Sequence, residues 1–206
     1  MLYKTLLQPL KIKFSVVLQT RSIAAEWPTC WFLALCHYLA CMKILLLVRH
    51  AKSSWANEHE ADIDRPLNER GKKDAPQMAA RVKEKVSRID LFISSPAKRA
   101  HKTARAFAAA FHTKEESIQL EEALYLAPAS TLYQTVAGLA DKADSVILFG
   151  HNPGITEFAN MLTNVRIDDM PTGSVFAVSA DVGNWRDFVA APKNFLFFDY
   201  PKNPLK

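Results

Sequence analysis

Three places in this chain end an apolar run with groups that can do chemistry: Arg49-His50, Ser94-Ser95-Pro96 followed by Arg99, and Gly150-His151-Asn152-Pro153. The arginine guanidinium is a planar fork of donors matched to phosphate oxygens, and a helix start offers free backbone N–H groups to an anion. Imidazole, with an ordinary pKa of about 6.5, is partly neutral near pH 7 and can act as a covalent catalyst. Taken singly, each residue has a plain explanation. A histidine near a strand end is ordinarily a structural hydrogen-bonding residue, and an arginine in a first helical turn is ordinarily a solvated charge. Function is suggested by coincidence, because the same chemistry recurs at three strand-to-helix junctions. Paired histidines also suit a metal, but the arginines would repel a cation and metal sites normally recruit cysteine or carboxylates. The set therefore looks built for a dianion, and it implies neither a metal nor a cofactor.

The elements that must hold these residues can be read from Met42 onward. Lys43–Val48 (KILLLV) has the unbroken apolar character of a strand buried on both faces. A polar loop follows through Asp64, and Lys73–Ser87 places Ala75, Met78, Ala79, Val82 and Val86 on one helical stripe. Pro76 either occupies the first turn of a helix capped by Asp74 or interrupts one begun at Asn68. Ile89–Ser94 is a second strand, and Ser95-Pro96 supplies an N-cap and first position for a helix with Ala100, Ala104, Phe107 and Phe111 inward. A further helix is expected around Ser130–Ala140. A strand at Ser145–Phe149 then leads into a helix carrying Ile155, Phe158, Ala159 and Leu162 on its core face, and strands at Val175–Ser179 and Phe195–Tyr200 close the chain. Alternating strands and helices indicate an α/β fold with a mostly parallel central sheet and helices on both faces. In such sheets ligands bind beyond the carboxyl ends of the strands, so two histidines and two arginines would converge on one mouth.

Four ordered segments carry a specific resemblance: LVRHAKSSW (47–55), DRPLNERG (64–71), SSPAKRAHKTA (94–104) and GHNPGITE (150–157). Together they resemble the histidine phosphatase superfamily, of phosphoglycerate mutase-like fold, and most of all its small SixA-like phosphohistidine phosphatases. The resemblance covers residues 42–206 and none of 1–41. It implies that His50 attacks phosphorus to form a phosphohistidine that water later hydrolyses, that Arg49 and Arg99 clamp the phosphoryl oxygens, and that a protonated His151 adds a third donor. Ser53 matches a phosphate-side serine of the superfamily, though a turn-capping role explains it equally. Arg65, in the R-P-L segment, either lines the mouth or forms a surface ion pair. Asn152 is expected to cap a helix, and Thr172-Gly173-Ser174 to bring small backbone near the site or simply to turn. The mutase-like branch has glycine after the catalytic histidine and asparagine six positions beyond it, where this chain has Ala51 and Ala56. That branch also carries a leaving-group acid in an insertion missing here, and nothing in the pattern aims Glu121 or Glu122 at a phosphate.

The implied activity is removal of phosphate from phosphohistidine in a signalling or phosphotransfer protein. The alternatives are a small-molecule phosphomonoesterase of the same fold and a phosphate-binding module without catalysis. Composition agrees with this and narrows it. At 206 residues with 49% hydrophobic and 23% charged residues, the chain reads as one globular core rather than a disordered or fibrous protein. Of the net charge of +5, residues 1–41 carry +3 through Lys4, Lys11, Lys13 and Arg21 against Glu26, leaving too little elsewhere for nucleic-acid binding. Cys30, Cys36 and Cys41 all precede Met42, so the remainder has neither a disulfide framework nor a thiol nucleophile. The uncharged run Trp27–Ala40 is too short to span a bilayer, which needs about 20 residues. It belongs to a mis-called extension before a true start at Met42, to a loosely docked extension, or to a targeting segment. A cytoplasmic, membrane-independent enzyme is expected, with its oligomeric state open.

Overall fold

The computed structural model describes residues 42–203. The expectation that residues 1–41 stand apart from the core falls outside the described residues.

Strand β1 (Lys43–Arg49) lies inside a six-stranded sheet. It is followed by helix α1 (Glu69–Lys85), β2 (Leu91–Ser94), α2 (Lys98–Ala110), β3 (Ile118–Leu120) and α3 (Ala129–Ala137). The chain continues through β4 (Ser145–Gly150), α4 (Gly154–Leu162), β5 (Val175–Ala180), α5 (Trp185–Ala190) and β6 (Asn194–Asp199). The sheet order is β3-β2-β4-β1-β5-β6. Pairings from β3 to β1 are parallel, whereas β5 is antiparallel to both β1 and β6. Five of the six strands thus run one way, as the alternating pattern requires.

Alternation along β1 builds two cores. Leu45 and Leu47 face α3, α4 and α5 through Leu132, Phe158 and Trp185. Leu46 and Val48 face the opposite layer, α1 and α2, through Met78, Val82 and Phe107. These β1 side chains are fully buried, so at roughly 2 kcal/mol each they fix the register of the strand on which the site is built. The inward residues expected for α1 and α4 are buried as read from the sequence.

Four local details differ from the expectation or resolve it. Helix α1 begins after Asn68, whose side chain accepts from the Gly71 N–H at 2.9 Å, and runs on through Pro76. Strand β2 starts at Leu91 rather than Ile89. Ser95 is not the N-cap residue of α2: the helix starts at Lys98 after Ala97, and the Ser95 hydroxyl accepts from the Ala97 N–H at 3.3 Å while also meeting His151 Nε2 at 2.8 Å. The three-residue β3 and six-residue α5 are too short for a periodicity to show.

Candidate active site

The carboxyl ends of β1, β2 and β4 lie side by side, because Arg49 pairs with Gly150 and Ser94 with Phe149 across the sheet. His50, just beyond β1, donates its backbone N–H to the Gly150 carbonyl at 3.2 Å. Its carbonyl and that of Arg49 both accept from the Gly173 N–H at 3.1 Å. Gly173 sits at φ +79°, and a Cβ there would lie 3.1 Å from Pro201, so a side chain meets both backbone strain and a wall. The Thr172–Ser174 segment therefore does bring small backbone against the site. On the other side, the Thr103 hydroxyl accepts from the Ala51 N–H at 3.0 Å and donates to the Arg99 carbonyl at 2.7 Å. It ties the turn after β1 to α2.

That scaffold orients one imidazole. Nδ1 of His50 lies 2.8 Å from the Ala51 carbonyl, an acceptor only, so Nδ1 carries the hydrogen and Nε2 keeps its lone pair. Nε2 accepts from Arg99 Nε at 3.2 Å. Burial is the main cause that lowers the His50 pKa to about 4; the Ala51 contact opposes it, and the charges of Arg99, Arg49 and Arg65 reinforce it. The ring is neutral near pH 7 and its free nitrogen faces a guanidinium.

The His151 ring centroid is 5.0 Å from that of His50. Burial first, then the neighbouring His50 and Arg99, lower its pKa to about 3. Burial beside two arginines thus favours the neutral ring, because a further buried positive charge there is disfavoured. Two buried polar atoms in this cluster, Arg49 Nε and His151 Nδ1, have no hydrogen-bond partner among the described residues. Buried polar groups are nearly always paired, and both atoms belong to residues the sequence assigned to phosphate.

Ser53 and Arg65 both join the cluster. Arg65 is buried, and its guanidinium donates to Ser53 Oγ at 2.7 Å, the Ser54 carbonyl at 3.1 Å and Asp62 Oδ1 at 2.7 Å. Ser53 thus anchors Arg65 rather than capping a turn. The exposed Trp55 ring lies over the guanidinium at 3.2 Å. Asn152 does not cap the backbone of α4; it accepts from the Thr156 hydroxyl at 2.9 Å and donates to Asp169. Asp169 also pairs with Arg49 at 3.0 Å.

Sequence reasoning missed Asp62, Tyr125 and Thr103. Asp62 opens a single 3-10 turn, Asp62–Asp64, in the loop after β1. Its carboxylate accepts from Arg99 Nη2 and from the Tyr125 hydroxyl, each at 2.8 Å, besides Arg65. Burial alone would raise its pKa, but the hydrogen bonds from Tyr125, Arg99 and Arg65 and the charge of Arg99 outweigh this and lower it to about 2. Thr103 had a usable signal, its place four residues after Arg99 on one helix face. Asp62 had only its spacing of three from Arg65, and Tyr125 had none.

A mostly parallel α/β sheet that gathers two arginines and two imidazoles at its strand ends suits the handling of phosphoryl groups. The model of the histidine phosphatase superfamily (branch 1) matches residues 45–125, and this match and the likenesses that follow support a histidine phosphatase of SixA-like kind. Among solved structures, it is similar to the SixA protein of Agrobacterium tumefaciens, assigned as a phosphohistidine phosphatase. That likeness has 28% identity and a TM-score of 0.65, over 77% of this chain and 98% of the other. The protein histidine phosphatase SixA in complex with tungstate shares the fold at 20% identity and a TM-score of 0.64, over 77% and 97%. A mycobacterial glucosyl-3-phosphoglycerate phosphatase shares it at 18% and 0.55, over 75% and 97%. Together these findings support phosphatase activity of the histidine phosphatase superfamily, on a phosphate-bearing substrate. Among the described residues no helix is long and apolar enough to cross a membrane.

Proposed function

We propose that this phosphatase removes phosphate from phosphohistidine in a protein of a signalling or phosphotransfer system, with His50 as the nucleophile. The observation that carries the reading is the tautomer of His50: the Ala51 carbonyl holds hydrogen on Nδ1, leaving Nε2 unprotonated at the mouth beside Arg99. In the proposed reaction Nε2 attacks phosphorus, the substrate's P–N bond breaks, and water then hydrolyses the phosphate from His50. Arg49, Arg99 and His151 bind the phosphoryl oxygens, with Arg65 at the rim held by Ser53. The unpaired Arg49 Nε and His151 Nδ1 are donors such a group would engage, and its dianionic charge would draw a proton onto His151. Positioning and charge stabilisation are most of what phosphoryl transfer asks of a protein. Arginine and imidazolium supply the positive charge, and the reading calls for no metal or cofactor.

Two features support phosphohistidine over an alkyl phosphate ester. An alkoxide needs a positioned proton donor, and the carboxyl nearest the site, Asp62, is held ionised. Imidazole leaves far more readily: a proton from solvent on the substrate's own ring, whose ordinary pKa is about 6.5, lets the P–N bond release neutral imidazole with no positioned acid. The rim also carries the exposed Trp55 ring over Arg65, which suits contact with a protein surface better than with a small polar sugar.

The test compares kcat/KM for a phosphohistidine protein, an aryl phosphate with an acidic phenol and a sugar phosphate, with chelator present. The expected order is phosphohistidine first and sugar phosphate last. A sugar phosphate turned over best would transfer the assignment to a small-molecule phosphomonoesterase.

A further inference from the structure

We infer that Asp62 takes the proton from the attacking water when phosphorylated His50 is hydrolysed. The inference rests on the assignment of His50 as nucleophile and deepens it by naming the group that drives the second half of the reaction.

A single guanidinium separates the Asp62 carboxylate from the reacting nitrogen. Arg99 donates Nε to His50 Nε2 at 3.2 Å and Nη2 to Asp62 Oδ2 at 2.8 Å, while Nη1 reaches the Asp62 backbone carbonyl. A phosphoryl group on Nε2 would sit against the same arginine, within reach of a water held by the carboxylate. The Asp62 side chain is 42% exposed, so water reaches it from solvent.

No other acid among the described residues is placed this way. Glu121 and Glu122 are exposed, and Glu121 accepts from the Ala123 N–H of its own turn. Asp169 holds Arg49 and Asn152, neither of which contacts the reacting nitrogen. Tyr125 completes the arrangement: its hydroxyl donates to Asp62 Oδ2 at 2.8 Å, and its ring packs edge-on to His151 at 5.8 Å. Burial first, then the bond to Asp62, raise the Tyr125 pKa, so it stays a donor and orients the carboxylate lone pairs.

The step balances with water alone. The water oxygen bonds to phosphorus, the P–Nε2 bond breaks and its electron pair returns to Nε2, and one water proton passes to Asp62 and on to solvent as inorganic phosphate leaves. Resting Asp62 owes its low pKa to hydrogen bonds from Tyr125, Arg99 and Arg65 and to the charge of Arg99; a phosphoryl group on His50 would leave Tyr125 in place but take a share of the arginine donors and set negative charge beside the carboxylate. Phosphorylation of His50 therefore raises the basicity of Asp62 when a base is needed.

Rapid mixing of the full chain with p-nitrophenyl phosphate separates the two steps, since nitrophenolate leaves without an acid. Asp62→Asn is expected to keep a burst of about one nitrophenolate per site, with a steady state about 100-fold slower than wild type and acid-labile phosphate accumulating on His50. Should Asp62→Asn fail to fold, Asp62→Ser keeps an acceptor for Arg99 without the base and is expected to behave the same way. A steady state within twofold of wild type would overturn the inference. So would equal loss of burst and steady state, which would make Asp62 a positioning residue for Arg99. A rise in kcat/KM would overturn it too, showing Asp62 as a competitor for the phosphate donors. If wild type turns over substrate without ever carrying phosphate on His50, the nucleophile assignment fails and the inference with it.

Discussion

His50 and His151 differ in what surrounds each nitrogen, and that difference sets their proposed roles. His50 has its hydrogen fixed by the Ala51 carbonyl and its lone pair turned to Arg99, whereas His151 holds Ser95 with Nε2 and leaves Nδ1 unpaired. A proton NMR titration of the ligand-free protein should find two rings that stay neutral down to about pH 4 and about pH 3. Added tungstate, an oxyanion standing in for the phosphoryl group, should raise the His151 value and leave His50 unprotonated at pH 7. Two rings titrating near 6.5 would contradict the burial argument. Arg99→Ala should lower kcat/KM about 100- to 1,000-fold, roughly 3–4 kcal/mol of transition-state stabilisation, as for loss of one directed donor. The four central residues were legible in sequence because each stands at, or a few residues beyond, the end of an apolar run. Asp62 was not legible, since an acid in a polar loop looks like any solvated carboxylate until three donors from separate places in the chain meet it.

At the scale of elements, the site depends on β1, β2 and β4 ending together and on small contacts that lock the turn after β1. Thr103→Val removes the acceptor for the Ala51 N–H and leaves a buried donor unpaired. It should cost about 1–3 kcal/mol in urea unfolding and lower kcat, while Thr103→Ser should restore both. Unchanged stability in Thr103→Val would show that the turn does not rely on this bond. Long periodic elements such as α1, α2 and α4 were readable from their apolar stripes. The start of α2 was misplaced because a Ser-Pro pair has the look of a helix cap; the Ser95 hydroxyl accepts from the Ala97 N–H two residues on and also meets His151 across the sheet. Such a capture across the sheet leaves no mark in local sequence.

For the whole molecule, burying two neutral imidazoles links stability to pH. Their pKa values lie below the ordinary 6.5, so between those values and pH 6.5 the unfolded chain binds the extra protons. Stability from this source is complete above pH 6.5 and declines as pH falls toward about 4 for His50 and about 3 for His151. The loss is on the order of 3 kcal/mol for His50 alone. Urea midpoints measured across this range should fall with pH, and His151→Asn should flatten the slope; equal slopes in the two proteins would rule out the linkage. Among the described residues, 42–203, both faces of the sheet already carry a closed apolar layer. A chain beginning at Met42 is therefore expected to keep its cooperative unfolding and its specific activity, and loss of the transition would show that the first 41 residues complete the fold.

The central claim is that phosphate passes through His50, and the most direct measurement is to catch it there. A radiolabelled phosphohistidine protein is mixed briefly with the full chain and quenched in alkali, which spares phosphohistidine, and the labelled peptide is mapped. The expected result is phosphate on His50 in wild type, none in His50→Ala, and a His50→Ala protein that unfolds as wild type does but turns over no substrate. Label on another residue, or undiminished turnover in His50→Ala, would contradict the account.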